Sequence, residues 1–192
     1  MKITKAQSQE NRARIVETAS ALFRERGYDG VSVADLMVAA GLTHGGFYKH
    51  FGSKADLMAE ATEQALAAKM GEYKDLDRAA FVDRYLSREH RDARATGCSM
   101  AALCGDAPRQ PVAVQETFAA GLARMVAAFE RGAVAAGADP AAARAEAISQ
   151  FSQMLGAVVL SRACPDDSPL ADEILDVCRR QMLARPAPAG AV

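Results

Sequence analysis

The sequence contains no tryptophan, only three histidines and only four cysteines in 192 residues. The cysteines stand at positions 98, 104, 164 and 178 and form no Cys-x-x-Cys pair, which argues against a structural zinc site. No apolar run approaches the ~18 residues of a membrane span, and the polar N-terminus lacks the apolar core of a signal peptide. We therefore expect a cytoplasmic protein with reduced cysteines, no membrane partner, no metal and no cofactor.

Signatures of common enzyme active sites are missing as well. The sequence contains no glycine-rich phosphate loop, no HExxH and no GxSxG. Two of the histidines lie in the N-terminal segment, which leaves only His90 to serve a cysteine nucleophile. The stretch around His90, YLSREHRDAR, is typical of a charged amphipathic helix with a solvated face. We therefore expect a protein without enzyme activity. A helical enzyme and a pure protein-interaction module are the two competing function classes.

The charge is distributed unevenly along the chain. Half of the residues are hydrophobic and alanine is abundant, so the composition predicts a globular, mainly helical protein. Residues 1–54 hold eight lysines and arginines against five acidic residues, a net charge of +3, whereas the remainder carries −4. A small basic head on a mildly acidic body indicates that the head meets a polyanion.

Three short helices are predicted within that head. Apolar residues at helical spacing predict the first helix over 11–26. Ser32, with an acidic residue three positions later, predicts the start of a second helix that ends at Gly41. Thr43 is a good N-cap for a third helix over 44–51, which Phe47 and Phe51 would anchor.

Two short helices joined by a glycine-containing turn predict a helix-turn-helix, whose second helix enters the major groove of DNA. Gly45 and Gly46 fall in the first turn of that second helix, although each glycine costs about 1 kcal/mol of helix stability relative to alanine. The missing side chains would let the backbone approach the duplex closely. We expect Arg12 and Arg14 to be solvated.

Residues 12–57, RARIVETASALFRERGYDGVSVADLMVAAGLTHGGFYKHFGSKADL, resemble the DNA-binding head of the TetR family of bacterial transcriptional regulators. The likeness includes Ala-x-x-Leu-Phe in the first helix, Gly-Tyr before the second, Ala-Gly at the turn and Phe-Tyr-x-His-Phe-x-Ser-Lys-x-x-Leu. It implies that Tyr48 and Lys54 hold the phosphate backbone and that Ser32 meets a phosphate. The groove-facing or backbone-adjacent surface would consist of Thr43, His44, Gly45, Lys49 and His50.

The resemblance also implies a helical ligand-binding and dimerisation body over 55–192, after a helix-turn-helix domain over 1–54. The expected fold is all-α with about nine helices, including one over 77–93, and the last two helices would pair with those of a second subunit. Such a homodimer would bind a palindromic DNA operator as a repressor, and a small inducer would release it. Because methionine and phenylalanine dominate the candidate pocket, we expect an apolar or aromatic inducer. The candidate pocket residues are Tyr85, Met100, Leu103, Phe118, Leu122, Met125, Phe151 and Met154.

Two cysteines offer a different trigger. Cys98 and Cys104 flank a predicted short helix, and the segment GCSMAALCGD is similar to one in a subset of TetR-type regulators. Redox or electrophile sensing is therefore an alternative mechanism. The competing interpretation, that each cysteine is a small buried apolar residue, is the commoner case.

Overall fold

A computed structural model describes residues 4–73 and 76–184, and within those ranges all regular structure is helical, as predicted. The described residues form nine α-helices and two 3-10 helices. Their bounds are α1 (Lys5–Arg26), α2 (Val33–Ala39), η1 (His44–Lys49), α3 (Lys54–Tyr73), α4 (Arg78–Tyr85), α5 (Arg88–Asp92), α6 (Ser99–Leu103), η2 (Ala107–Arg109), α7 (Val112–Ala135), α8 (Pro140–Ala163) and α9 (Pro169–Ala184).

The chain divides into two compact units. Among the described residues, the first unit covers 4–69 and 94–119, and the second covers 70–73, 76–93 and 120–184. The first unit therefore contains α6, η2 and the start of α7 in addition to α1, α2, η1 and α3 up to residue 69. The functional boundary predicted at residue 54 stays a prediction, because compactness does not define where DNA binding ends.

The core of the first unit forms where α1, α2 and η1 meet. Ile15, Phe23, Leu36 and Phe47 are all at most 1% exposed there. Helix α2 starts with the predicted capping box: the Asp35 amide donates to Ser32 Oγ at 3.1 Å, and the Ser32 amide donates to the Asp35 carboxylate at 3.0 Å. The helix boundaries predicted from caps and glycines are thereby confirmed for α2.

The third helix differs from its prediction. The segment after Thr43 forms a 3-10 helix rather than an α-helix, and Phe51 lies beyond its end. Thr43 makes no side-chain capping hydrogen bond. Two adjacent glycines weaken α-helix propensity, and 3-10 geometry is common in pieces this short. The predicted anchoring is confirmed nonetheless, because Phe47 and Phe51 are both buried with ring centroids 5.5 Å apart.

The single helix predicted over 77–93 is interrupted. Helix α4 ends at Tyr85, and Ser87 then caps α5, its side chain accepting from the His90 amide at 3.0 Å. The Ser87 hydroxyl also donates to the Arg84 carbonyl at 2.9 Å. A serine that bonds the local backbone in this way competes with helix continuation, which explains why apolar periodicity alone missed the break.

Buried Tyr28 follows α1 and has an altered acidity. Its side chain is fully buried, with its hydroxyl 2.5 Å from Thr62 Oγ1. The pKa of Tyr28 is raised to about 12, mainly by burial; the hydrogen bond to Thr62 opposes this rise, and the nearby charge of Asp106 adds to it. The folded protein therefore keeps this proton at a pH where the unfolded chain releases it.

The Tyr28 shift predicts a loss of stability at alkaline pH. The unfolded phenol titrates near pH 10 and the folded one near 12, so its contribution is complete below pH 10 and disappears as the pH rises towards 12. Urea unfolding across that window should show a smaller alkaline loss for Tyr28→Phe than for the unaltered protein. Tyr48→Phe, at a site 68% exposed, is the control and should follow the unaltered protein. Equal alkaline slopes for all three proteins would contradict the prediction.

The second unit packs α4, α5, α8 and α9 around buried Tyr85, Phe151, Met154 and Leu175. Apolar side chains also remain on the outer faces of the two last helices. On α8 and α9 the exposed large apolar residues are Ile148, Val159, Leu160, Leu170, Val177 and Leu183. These two helices thus carry apolar surface that the second unit leaves uncovered.

Helix α7 passes a length and composition test for a membrane span that the apolar runs of the sequence did not predict. By length and composition it could cross a membrane, with a best window of mean hydropathy 1.2 that is 22% buried. This single helix is weak support for a membrane role, because helices of soluble proteins pass the same test. Its Val114, Met125 and Val126 are buried within the protein.

Candidate nucleic-acid interface and ligand cavity

The outer face of η1 is open to solvent. Thr43, His44, Gly45, Tyr48 and Lys49 are exposed, Tyr48 to 68% of its surface. The opposite face is fixed to the protein, since Phe47 is fully buried. Five predicted DNA-binding residues therefore share one surface on a rigidly anchored element. Hydroxyl, imidazole and ammonium groups of this kind can bond phosphates and base edges.

The two adjacent glycines have different surroundings. A side chain at Gly45 would meet nothing within 4 Å, so its outward space is empty. A Cβ at Gly46 would lie 3.4 Å from Met37 Cε and 3.8 Å from Thr43 Oγ1. Gly46 thus lets η1 pack closely on α2, and only Gly45 leaves an open space on the outer face of η1. The sequence had predicted such a space for both glycines.

Arg12 is not simply solvated, which corrects the expectation from the sequence. Its guanidinium donates to the His50 carbonyl and to the Glu60 carboxylate, and it lies 4.3 Å from the centroid of the Phe51 ring. Partial burial lowers the pKa of His50, and the positive charges of Arg12 and Lys49 lower it further. His50 is therefore predominantly neutral near pH 7 and adds little positive charge to the candidate DNA surface.

Ser32 and Lys54 already have partners inside the protein. The Ser32 hydroxyl donates to the Asp35 carboxylate at 2.6 Å, and this bond is the main cause of the lowered pKa of Asp35. Lys54 Nζ donates to the Tyr28 carbonyl at 2.6 Å and lies 6.0 Å from the Phe23 ring centroid. Lys54 thus ties the start of α3 to the connection before α2. The phosphate contacts assigned to Ser32 and Lys54 stay predictions.

Residues from the middle of the chain hold the connection between α1 and α2. Arg24 Nε donates to the Ala95 carbonyl at 2.7 Å. The Tyr28 amide donates to the Asp106 carboxylate at 3.3 Å, and Gln110 Nε2 donates to Asp29 at 3.3 Å. Sequence reasoning missed these contacts because they join residues about 70 to 80 positions apart and leave no local pattern.

The second unit contains a cavity of about 630 Å³ between α4, α7 and α8. That volume is in the range of pockets for small organic ligands. Its wall is mostly apolar, with two rings at its side, and includes a few charged and amide side chains. The lining residues are Met70, Leu76, Asp77, Arg78, Phe81, Met125, Ala128, Phe129, Arg131, Gly132, Ala133, Ala136, Ala143, Glu146, Ala147 and Gln150.

Met125 is the one predicted pocket residue on the wall of this cavity. The other predicted pocket residues lie outside this cavity, and their role in ligand binding stays a prediction. Tyr85, Phe151 and Met154 are in the core of the second unit, while Leu122 is 44% exposed. Met100 and Leu103 are buried in the first unit, where Phe118 packs against its core. Apolar periodicity identifies inward-facing residues but does not separate solid core from cavity wall, so Phe81 and Phe129 were missed as lining residues.

Burial argues against reactivity for both cysteines of the alternative mechanism, since Cys98 is buried and Cys104 is partly buried. Cys98 is buried, and it precedes α6 as its N-cap residue. Burial raises the pKa of Cys104, and Cys98 raises it further, which keeps the thiol protonated.

For the enzyme alternative, His90 is 8% exposed with Nδ1 2.7 Å from the Tyr85 carbonyl oxygen, a structural contact within the second unit.

Comparison with known proteins gives concordant results. Residues 15–61 match the family described as bacterial regulatory proteins, tetR family. Over 186 residues the chain is 30% identical to the HTH-type transcriptional regulator Rv0196 of Mycobacterium tuberculosis, itself uncharacterised, covering 89% of this chain and 91% of the relative. Over 55 residues, 29% of this chain, it is 44% identical to the HTH-type transcriptional regulator TtgR of Pseudomonas putida, covering 26% of that protein. A TetR-family regulator structure from Agrobacterium tumefaciens aligns with a TM-score of 0.73 at 25% identity, covering 94% of this chain and 99% of the other.

Proposed function

This chain belongs to the TetR family of bacterial regulatory proteins and is a DNA-binding transcriptional regulator, and we propose that as a homodimer it represses transcription from a palindromic operator until a small apolar or aromatic ligand releases it. The observation that carries the DNA-binding part is the exposed face of η1. The exposed face of η1 is neutral or basic, and buried Phe47 fixes it to the protein. Such a face can contact base edges in a DNA groove while adjacent residues bond phosphates. Such a role requires no enzyme activity and belongs in the cytoplasm.

Five exposed residues of this segment are proposed to contact DNA in three ways: Thr43, His44, Gly45, Tyr48 and Lys49. Gly45 brings the backbone close to the base edges. His44 and Thr43 bond groups in the groove, and Tyr48 and Lys49 bond phosphates. His50, Ser32 and Lys54 would contribute through their backbone or through hydrogen-bonding capacity left over from their internal partners.

A second subunit is supported by the exposed apolar side chains on the last two helices. Ile148 on α8 is 47% exposed, and Leu160 on the same helix is 60% exposed. A two-fold dimer would cover these faces and present two copies of η1 to the half-sites of one palindrome.

Ligand control is supported by the cavity in the second unit. Its volume suits a small organic molecule, and its wall is largely apolar. A ligand reduces DNA occupancy only by as much as it prefers the conformation that does not bind DNA. We propose that cavity occupancy selects that conformation.

Fluorescence anisotropy with DNA from upstream of the protein's own gene tests the proposed function. The affinity should fall linearly with the logarithm of salt concentration, because phosphate contacts release counterions. Absence of any salt-sensitive binding there or on neighbouring promoters would favour an enzyme or a scaffold instead.

Replacing Lys49 with alanine should lower the salt slope by about one, since one phosphate contact is lost. The affinity should fall by a similar factor on operator and unrelated DNA, because a phosphate contact carries no base information. Arg84→Ala is the matched control, as Arg84 is 56% exposed on α4 and pairs with Glu72. An unchanged slope for Lys49→Ala, or an equal decrease for the control, would remove the phosphate role.

A further inference from the structure

The wall of the cavity contains a polar pair on α8. Gln150 is only 7% exposed and lines the cavity. Glu146, one helical turn earlier, lines it too, and Gln150 Nε2 donates to Glu146 Oε1 at 2.8 Å. Two hydrogen-bonding side chains thus lie side by side in a predominantly apolar wall.

The carboxylate fixes which way the amide of Gln150 faces. An ionised carboxylate can only accept hydrogen bonds, so it takes the NH2 group and leaves Gln150 Oε1 on the other side of the amide. Among the described residues no donor bonds that oxygen. Gln150 Oε1 is therefore an acceptor that no described donor bonds, on a mostly buried side chain of the cavity wall, and it keeps some accessible surface.

The surroundings make that acceptor selective. Phe81 and Phe129 line the same cavity with their ring centroids 5.2 Å apart in an edge-to-face arrangement, and Met125 lies on the wall as well. A buried acceptor that loses water without gaining a donor is costly. A bound molecule that covers Gln150 must therefore supply a hydroxyl or N–H group, or lose affinity.

The formal charges on the wall balance. Arg78 and Arg131 carry positive charge, and Asp77 and Glu146 carry negative charge. Arg78 and Asp77 also have structural tasks, since Arg78 donates to the Met182 carbonyl and Asp77 caps α4. A balanced wall gives no general preference for an anionic ligand over a neutral one.

We propose that the cavity binds an uncharged aromatic molecule with a hydrogen-bond donor, a phenol or an aryl amine, which donates to Gln150 Oε1. Glu146 is the positioning residue, because it holds the amide so that its oxygen is offered to the ligand. The proposal rests on the proposed ligand control and adds the chemical class of the ligand. It also assigns Gln150, rather than either arginine, as the determinant of specificity.

Isothermal titration calorimetry with three biphenyl probes tests the ligand class. The probes are para-phenylphenol, para-methoxybiphenyl, which lacks the donor, and para-phenylbenzoate, which is an anion. On the unaltered protein, para-phenylphenol should bind about tenfold tighter than para-methoxybiphenyl, because only the phenol satisfies the Gln150 acceptor. This comparison needs no variant, so it tests the proposal independently of any folding defect.

Two variants of α8 test the assigned residue. Gln150→Leu should bind the phenol and its methyl ether within about twofold of each other, because the acceptor is gone. Gln153→Leu is the matched control, since Gln153 bonds Gln181 on α9 and does not line the cavity; it should keep the preference. Glu146→Gln should weaken the preference, because a neutral amide partner lets Gln150 adopt either orientation.

Three results would overturn the inference: equal binding of the phenol and the ether, tighter binding of the carboxylate, or binding of none of the probes. Retention of the preference in Gln150→Leu would do the same. DNA binding is measured without any probe, so salt-sensitive DNA binding with no phenol preference would leave the proposed regulator intact and reject only this ligand class.

Discussion

Replacing Gly45 with leucine should remove operator binding while the protein stays folded. A Cβ at Gly45 would have nothing within 4 Å and the backbone there does not have a positive φ, so a larger side chain can extend outwards from an exposed position. On DNA, the same side chain would separate η1 from the base edges. Because several contacts worth about 1–3 kcal/mol each would be displaced together, we expect a roughly hundredfold or greater loss of affinity. Anisotropy titrations measure the loss, and thermal unfolding confirms the fold.

Two further glycine variants separate DNA contact from stability. Gly71→Leu on α3, where a Cβ also has nothing within 4 Å, should leave DNA affinity unchanged and should not lower the melting temperature, because leucine is the better helix former. Gly46→Leu should lower the melting temperature, because a Cβ there would already lie 3.4 Å from Met37 Cε and the larger side chain needs further room between η1 and α2. If Gly45→Leu binds the operator as tightly as the unaltered protein, η1 does not approach DNA by this face and the proposed interface is wrong.

Local chemistry made much of the first unit predictable. Ser32 and Asp35 form their capping box through bonds between residues three apart, and Gly27 ends α1 with a φ of 75°, as its position after the helix indicated. The geometry of η1 was not predictable in the same way. Threonine is a residue type that favours N-cap positions, but the Thr43 side chain makes no capping hydrogen bond. The backbone after it forms a 3-10 helix that includes the two glycines.

The ligand cavity was less predictable because a cavity is the absence of atoms between helices. Phe151 and Met125 both follow the apolar stripes of their helices, yet one is solid core and the other lies on the wall. The same limit applies to polar residues. Gln150 gave no signal in the sequence, because its importance arises from burial and from the fixed orientation of one amide.

Arg91 connects the ends of α5 and α8 through a mutual exchange of hydrogen bonds. It is 1% exposed and donates to the Ser161 carbonyl at 3.2 Å and to the Cys164 carbonyl at 3.4 Å, both at the end of α8. In return, Arg162 Nε donates to the Arg91 carbonyl at 2.8 Å, at the end of α5. The terminal carbonyls of each helix are thus satisfied by an arginine of the other.

Arg91→Met should therefore destabilise the protein by about 2 kcal/mol, since it keeps most of the buried volume but removes the arginine donor from the Cys164 carbonyl and one of the two donors from the Ser161 carbonyl. The ion pairs contribute little to this figure, because Asp92 and Asp166 are 51% and 86% exposed. Arg88→Met is the control: Arg88 is 48% exposed and pairs with Asp172, so its loss should cost less than about 1 kcal/mol. Urea unfolding of the two variants measures the difference, and equal midpoints would show that the carbonyls at the end of α8 find other donors. Because α8 carries the apolar face assigned to the second subunit, we expect Arg91→Met also to dissociate more readily on dilution, which analytical ultracentrifugation would measure.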